Sequence, residues 1–166
     1  MNDIAEIKKT WEAVKGSINT AFDRLLSSLS GGEATGLQAE SIYPLTTPPR
    51  YFIGTKPAAV LFGEERIDVK SWRDIYAVVL MRCNSDSKGH ERLMYLRNKA
   101  AGRVRLFLSD KPDAMTSPLK IDEGMYGETH YGTETLLHIL CKHILDHTGF
   151  DYSGVRIILK HGGQLQ

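Results

Sequence analysis

Residues 58–80 read AAVLFGEERIDVKSWRDIYAVVL, and this stretch decides the fold class. Two short runs rich in apolar and β-branched residues, 58–62 and 66–69, flank the turn Gly63-Glu64-Glu65. Runs of this length joined by a short glycine-containing turn are typical of a β-hairpin. The stretch therefore predicts two paired strands near the start of the globular part of the chain.

A helix is predicted directly after the hairpin. Ser71 precedes it and Asp74 stands three residues later, which is the spacing of a capping box at a helix N-terminus. The apolar residues that follow recur at intervals of three and four and so share one helical face; they are Trp72, Ile75, Tyr76, Val79 and Leu80. A loop over 84–89 and a second helix over 91–101 are expected next.

The rest of the chain mixes strands and helices without regular alternation. Strands are predicted at 104–108, 125–129 and 155–159, with a turn-rich connection over 110–118. A further helix is expected to end at His147, with Thr133 or Thr135 as its N-cap. This order predicts an α+β fold: an N-terminal amphipathic helix, then a compact domain with a small, mostly antiparallel sheet and about three helices.

The N-terminal segment carries the strongest periodicity. Its apolar residues follow a strict heptad over three repeats; they are Ile4, Ile7, Trp11, Val14, Ile18, Ala21 and Leu25. A single helix with such a seam needs a partner, either a second copy or the body of the same chain. We predict a homodimer through residues 4–28, and we divide the chain into a helix over 1–30, a Gly/Ser/Pro-rich linker over 31–50 and a domain over 51–166.

Composition excludes several classes of protein. The 166 residues include 21 Lys+Arg and 20 Asp+Glu, so the chain is neither histone-like nor strongly acidic. Two cysteines are too few for a disulfide scaffold, and no apolar run reaches the length of a membrane span. We therefore expect a soluble cytoplasmic protein without a membrane partner.

No familiar catalytic motif is present. The sequence lacks GxSxG, a P-loop, a Rossmann fingerprint and HExxH, so we expect a non-enzymatic protein with no cofactor and no metal. Two alternatives stay open. His143 and His147 stand one helical turn apart and are able to share a metal ion, and Glu128 with Lys120 fits part of a metal-dependent nuclease site, although the spacing of known nuclease motifs is missing.

One segment concentrates positive charge. Residues 88–105 carry a net charge of +5, whereas 106–135 carry −4. Arg103 and Arg105 alternate with apolar residues on the predicted strand, which would direct both guanidinium groups to one face. Arg97 and Lys99, near the end of the preceding helix, would extend the same edge. Such an array suits phosphate groups; a solvated surface with ordinary ion pairs is the alternative.

A polar loop, ETHYGTET over 128–135, leads from a predicted strand into a predicted helix. Thr129, His130, Tyr131 and Thr133 carry side chains that are able to form hydrogen bonds with base edges. The helix N-terminus behind them offers backbone N–H groups to a phosphate. Simple N-capping of the helix by a threonine explains the same residues without any ligand.

Several short motifs together resemble a known DNA-binding family. They are GRVRLF (102–107), PLKI (118–121) and MYGETH (125–130), followed by a helix. This order is similar to the C-terminal DNA-binding domain of the SeqA family. With VKSW (69–72), it resembles still more closely the uncharacterised bacterial domains found near restriction and DNA-modification genes.

The resemblance implies double-stranded DNA as the partner, held by the G-R-x-R strand and read through the loop 128–135, with sensitivity to base methylation left open. The expected DNA-binding residues are Arg97, Lys99, Arg103, Arg105, Lys120, Thr129, His130, Tyr131 and Thr133. Two other interpretations remain: an interaction or oligomerisation module of a bacterial DNA-defence or mobile-element system, and a metal-dependent nuclease subunit.

Overall fold

The computed structural model describes residues 3–30, 40–99 and 101–160. The chain divides into two compact units, residues 1–38 and residues 39–166. The described part of the first unit is one helix, α1 (Asp3–Ser30), which confirms the helix predicted there. Four apolar side chains of its heptad seam are exposed, namely Ile7, Trp11, Val14 and Ile18.

The second unit is an α+β domain, as predicted. Its elements in chain order are β1 (Ser41–Pro44), β2 (Pro57–Phe62), β3 (Glu65–Asp68), α2 (Trp72–Ser85), α3 (Ser87–Leu96), β4 (Leu108–Ser109), β5 (Pro118–Asp122), β6 (Met125–Glu128), α4 (Thr133–His138), a π-helix (Ile139–Leu145), α5 (Asp146–Thr148) and β7 (Val155–Leu159). Short 3₁₀ turns lie at Pro49–Phe52 and Pro112–Ala114. Two small antiparallel sheets result rather than one.

The larger sheet has the order β1-β7-β2-β3, and every pairing within it is antiparallel. The predicted hairpin forms β2 and β3, with Phe62 opposite Glu65 beside the turn. β1 pairs with β7, so residues 41–44 of the segment predicted as linker, 31–50, belong to the sheet, and the second unit begins before Tyr51. The first part of that segment, 31–39, lies outside the described residues.

The start of α2 follows the sequence closely. The Ser71 hydroxyl accepts the Asp74 N–H, and the Asp74 carboxylate accepts the Ser71 N–H at 3.0 Å, which completes the predicted capping box. The apolar face that follows is buried. Sequence and structure agree here because a cap and a helical stripe are both local signals.

The end of α2 differs from the prediction. A loop was expected over 84–89, but only Asp86 separates α2 from α3. The Asp86 side chain caps α3 by accepting the Gly89 N–H. A Cβ on Gly89 would lie 2.0 Å from the backbone oxygen of Cys83, so only glycine allows this close approach of the two helices. α3 ends at Leu96, not at residue 101, and Asn98 adopts the left-handed conformation with a φ of 64°.

The smaller sheet has the order β4-β6-β5. β6 was predicted, whereas β5 begins at Pro118, the last residue of the segment predicted as turns, and extends over residues to which no element was assigned. The strand predicted at 104–108 is wrong for most of its length, because only Leu108 and Ser109 form β4. Residues 102–105 instead form a loop, which is closed by a bridge between Ala101 and Leu106.

The last helical region is continuous from Thr133 to Thr148 and contains the π-helix in its middle. Its N-cap is Gly132, which has no side chain to donate or accept, so the prediction of Thr133 or Thr135 as the cap is wrong. Gly149 ends the region in the left-handed conformation. Leu140 and Ile144 from this region pack against α2 residues such as Ile75 in one hydrophobic core that both sheets share.

No helix in the described parts of the chain has the combination of length and hydropathy that crossing a bilayer requires. Both cysteines are free thiols, and both are buried.

Candidate functional site

The basic motif lies on a tight loop. The Gly102 N–H donates to the Arg105 carbonyl at 2.8 Å, and Val104 at the tip is 88% exposed. Arg103 and Arg105 therefore flank the tip of a loop. The prediction that they share one face of a strand is wrong. The alternation of charged and apolar residues over 103–106 suggested a strand with a buried face, but Val104 is exposed to solvent.

Gly102 permits this loop to lie against an aromatic ring. A Cβ at this position would come within 3.1 Å of the Phe107 ring, a contact tight enough to displace one of the two. Phe107 is itself buried and belongs to the core. The loop that carries the two arginines thus packs directly on the buried ring of Phe107.

A cavity of about 440 Å³ opens between this loop and the last helical region. Its lining consists of Gly102, Arg103, Val104, Arg105, Phe107, Tyr131, Thr135, His138, Ile139 and His143. The structure thus brings together three residues that the sequence predicted as DNA-binding, Arg103, Arg105 and Tyr131. A second cavity of about 260 Å³ shares Phe107 and His143 with the first and adds Lys99 and His147 to its lining.

We call the basic side chains around the two cavities the cationic surface. They are Lys99, Arg103 and Arg105; three histidines, His138, His143 and His147, line the same cavities. None of the described residues that line either cavity is an aspartate or a glutamate. In the described parts of the chain, neither Arg103 nor Arg105 has a carboxylate oxygen within ion-pair distance. Their positive charge is therefore available to a ligand.

Acidic residues of the neighbouring −4 segment are mostly engaged elsewhere. Asp122 accepts a hydrogen bond from Asn84 at 2.8 Å, and Glu123 pairs with Lys120 at 2.6 Å. Glu128 is fully buried, and Glu134 is exposed on the first turn of α4. The negative charge of this segment consequently does not cancel the cationic surface through direct contacts.

Glu128 holds the polar loop in place. Its carboxylate accepts the backbone N–H groups of Thr116 at 2.6 Å, Ser117 at 2.9 Å and His130 at 2.9 Å. Burial raises the pKa of Glu128, but these three hydrogen bonds and the charge of Arg105 outweigh burial and lower the pKa below its usual value. A charged carboxylate thus joins two loops and fixes the backbone that leads to Tyr131.

Other predicted residues have their polar groups occupied within the protein. The Thr129 hydroxyl donates to the Ser117 carbonyl at 2.8 Å and is buried. An Arg97 N–H group donates to the Gly124 carbonyl at 2.7 Å, in the turn between β5 and β6. Lys120 forms the ion pair with Glu123. His130 and Thr133 are at least partly exposed, but they line neither cavity.

Sequence analysis missed an aromatic row along the larger cavity. Ring centroids are 6.5 Å apart between Tyr131 and Phe107, 5.2 Å between Phe107 and His143, and 5.2 Å between His143 and His138. His138 and His143 are five residues apart, which on a regular α-helix would place them about 140° apart around the axis. The π-helix, with its wider i to i+5 repeat, brings them into ring contact.

The pKa of His143 is lowered below its usual value. Partial burial is the main cause, and the charges of His138 and His147 lower it further. His143 is therefore neutral at neutral pH and presents an uncharged aromatic ring between the two cavities.

Comparison with known proteins identifies no family, because no family model, no curated protein and no solved structure matches the chain. Within the described residues, no cluster of three or more His, Cys, Asp or Glu side chains is arranged to hold a metal ion.

Proposed function

We propose that this protein binds double-stranded DNA as a non-enzymatic, SeqA-like protein in the bacterial cytoplasm. The observation that supports the proposal is the cationic surface, on which Lys99, Arg103 and Arg105 line adjoining cavities free of carboxylates. Phosphate oxygens are the groups that arrays of lysine and arginine bind most readily in a nucleic acid. Buried free thiols suit a reducing compartment.

In this proposal the arginines position the DNA backbone. Arg103 is exposed beside the loop tip, Arg105 is partly exposed, and both line the same cavity. Lys99 lies 3.7 Å above the Tyr95 ring, which fixes its ammonium group at the edge of the second cavity. His130 and Thr133, next to Tyr131, remain candidates for contacts with base edges. Methylation sensitivity is part of the same proposal.

Salt dependence of binding tests the proposal. Three phosphate contacts would make the logarithm of the association constant fall with the logarithm of salt concentration at a slope of roughly −3. The measurement is fluorescence anisotropy with unmethylated, hemimethylated and fully methylated forms of the same duplex, from low to physiological salt. The proposal is wrong if none of the three duplexes binds even at low salt.

The histidines make binding depend on pH. As pH falls through the lowered pKa of His143, this ring gains a charge beside His138, His147, Lys99 and Arg105, so DNA affinity should rise several-fold. The lowered pKa of His143 makes the folded state less stable as pH falls, because the unfolded chain takes up the proton at a higher pH than the folded chain.

Titration of the His143 ring by NMR, with and without DNA, checks the pH prediction. Bound phosphate should raise the pKa of His143, and His143→Phe should reduce the pH dependence of affinity, while His90→Gln should not. A His143 pKa that is unchanged by saturating DNA would contradict the prediction.

We also propose that α1 forms a homodimer through residues 4–28. Ile7, Trp11 and Ile18 each expose more than half of their surface, and they belong to one heptad seam. Burial of this seam in a second copy would remove it from water, and it would place two cationic surfaces on one DNA molecule. Linking two weak sites raises the apparent affinity without any new contact.

Disruption of the seam should separate the dimer. Ile18→Glu is expected to yield monomers by light scattering and to weaken DNA binding at least tenfold through lost avidity. Thr20→Glu, which adds the same charge at an exposed position outside the seam, is the matched control. If the unchanged chain, Ile18→Glu and a chain that lacks residues 1–30 all have the same oligomeric state, a dimer through α1 is contradicted, and docking of α1 on its own domain is the alternative.

A further inference from the structure

The larger cavity combines two kinds of chemistry. Tyr131, Phe107, His143 and His138 form a row of rings in successive contact, edge-to-face at both ends and tilted between Phe107 and His143, and Arg103 and Arg105 line the same cavity. Phe107 is buried and contacts the rings on both sides of it, so it fixes the row from the core side. The cavity volume of about 440 Å³ lies in the range of sites that hold small organic ligands, about 300–1,000 Å³.

A ligand that fits this arrangement is planar and aromatic and carries an anionic group beside the ring. Aromatic side chains and neutral histidine stack on nucleobases without regard to sequence. Guanidinium groups bind phosphate. A nucleotide has both parts joined by one sugar, which matches rings and arginines that line one cavity.

A base that remains paired and stacked in a duplex is unable to enter such a cavity. Proteins that hold a single base rotate the nucleotide out of the helix, and the cost of unstacking is lower where the base is mismatched. We propose that the larger cavity receives one extruded base of the bound DNA, stacked on the aromatic row, while Arg103 and Arg105 hold the flanking phosphates. This inference rests on the proposed function, and it specifies that the larger cavity recognises an unpaired base of the bound DNA.

Three duplexes of one sequence test the inference, with the full chain and anisotropy detection. The first is fully paired, the second carries one central T·T mismatch, and the third carries abasic residues on both strands in the same place, so that no unpaired base remains there. Because a mismatched base costs less to extrude, the mismatch duplex should bind about tenfold more tightly than the paired duplex, which corresponds to 1.4 kcal/mol. The abasic duplex, flexible but without a base to insert, should show no such gain.

A variant that fills the cavity provides the protein side of the test. Thr135 lines the cavity from an exposed position on α4, so Thr135→Phe adds a ring there without disturbing the core. The preference for the mismatch, measured as a ratio of two affinities of the same variant, should fall to one. Glu134→Phe adds the same ring one residue away, outside the lining, and should keep the preference.

The outcomes separate this inference from the proposed function. Equal affinity for all three duplexes, or equal gains for the mismatch and the abasic site, would overturn base insertion while DNA binding stands. Saturation of the cavity by a free nucleoside monophosphate, with no discrimination among duplexes, would also overturn it. If no duplex binds at low salt, the proposed function falls, and this inference falls with it.

Discussion

Replacement of Arg103 and Arg105 together by alanine is expected to weaken duplex DNA binding by about a hundredfold. A hydrogen bond to a charged group contributes about 1.5–3 kcal/mol, so loss of two phosphate contacts should cost about 3 kcal/mol. The salt dependence should also become shallower by about 1.8 in logarithmic slope, because two fewer counterions are released. Anisotropy titrations at several salt concentrations measure both effects.

The fold should survive this double substitution. Arg103 is exposed, Arg105 is partly exposed, and neither forms an ion pair among the described residues. Arg105 acts at longer range, through its charge, on Glu128 and on Tyr131. Circular dichroism and thermal unfolding should therefore give curves close to those of the unchanged chain.

Arg66→Ala with Arg82→Ala is the matched control. It removes two guanidinium groups as well, but Arg66 is already paired with Glu40 and Asp68, and Arg82 with Glu65. Exposed ion pairs add about 0–1 kcal/mol, so this variant should fold. It should bind DNA within a few-fold of the unchanged chain. Equal losses in the two double variants would mean that net charge, not the cationic surface, governs binding.

Local signals in the sequence were sufficient for much of the fold. The capping box of Ser71 and Asp74, the β2–β3 hairpin and the heptad of α1 all depend on residues that are neighbours in sequence. Two strands were missed. β5 pairs with β6 across the two-residue turn Glu123-Gly124, a local hairpin that we overlooked, whereas other pairings join partners that sequence patterns do not specify. β1, for example, pairs with β7 more than a hundred residues later, and its segment has the Pro, Ser and Thr content of a linker.

The sequence predicted which charged residues belong to the candidate site, but not the loop and cavity that they line. Arg103, Arg105 and Tyr131 were predicted, and the structure places all three around one cavity. The loop that carries the two arginines depends on the bridge from Ala101 to Leu106 and on the hydrogen bond from Gly102 to Arg105, for which the alternating sequence gives no signal. The contact of His138 with His143 depends on the π-helix, whereas a regular helix led us to consider His143 with His147.

Glu128→Ala is expected to lower the free energy of unfolding by about 3 kcal/mol, because three backbone N–H groups lose a charged acceptor. Water is able to replace part of that loss where Thr116 and His130 are exposed, which keeps the figure well below the sum of three such bonds. Chemical denaturation at neutral pH measures the change. Unfolding of the 116–117 and 128–131 loops should also move Tyr131 away from Phe107, so DNA affinity should fall.

Glu128→Gln separates the charge of this side chain from its shape. Ser117 and His130 both donate to Oε1, which an amide oxygen is able to replace, whereas Thr116 donates to Oε2, where an amide NH₂ would oppose another donor. This variant should therefore be less destabilised than Glu128→Ala. Since the pKa of Glu128 is lowered from 4.5, its contribution to stability is present above pH 4.5 and is lost as pH falls through the lowered value. The gap between the unchanged chain and Glu128→Gln should narrow over that range, and a gap that is independent of pH would show that the carboxylate charge does not hold these loops together.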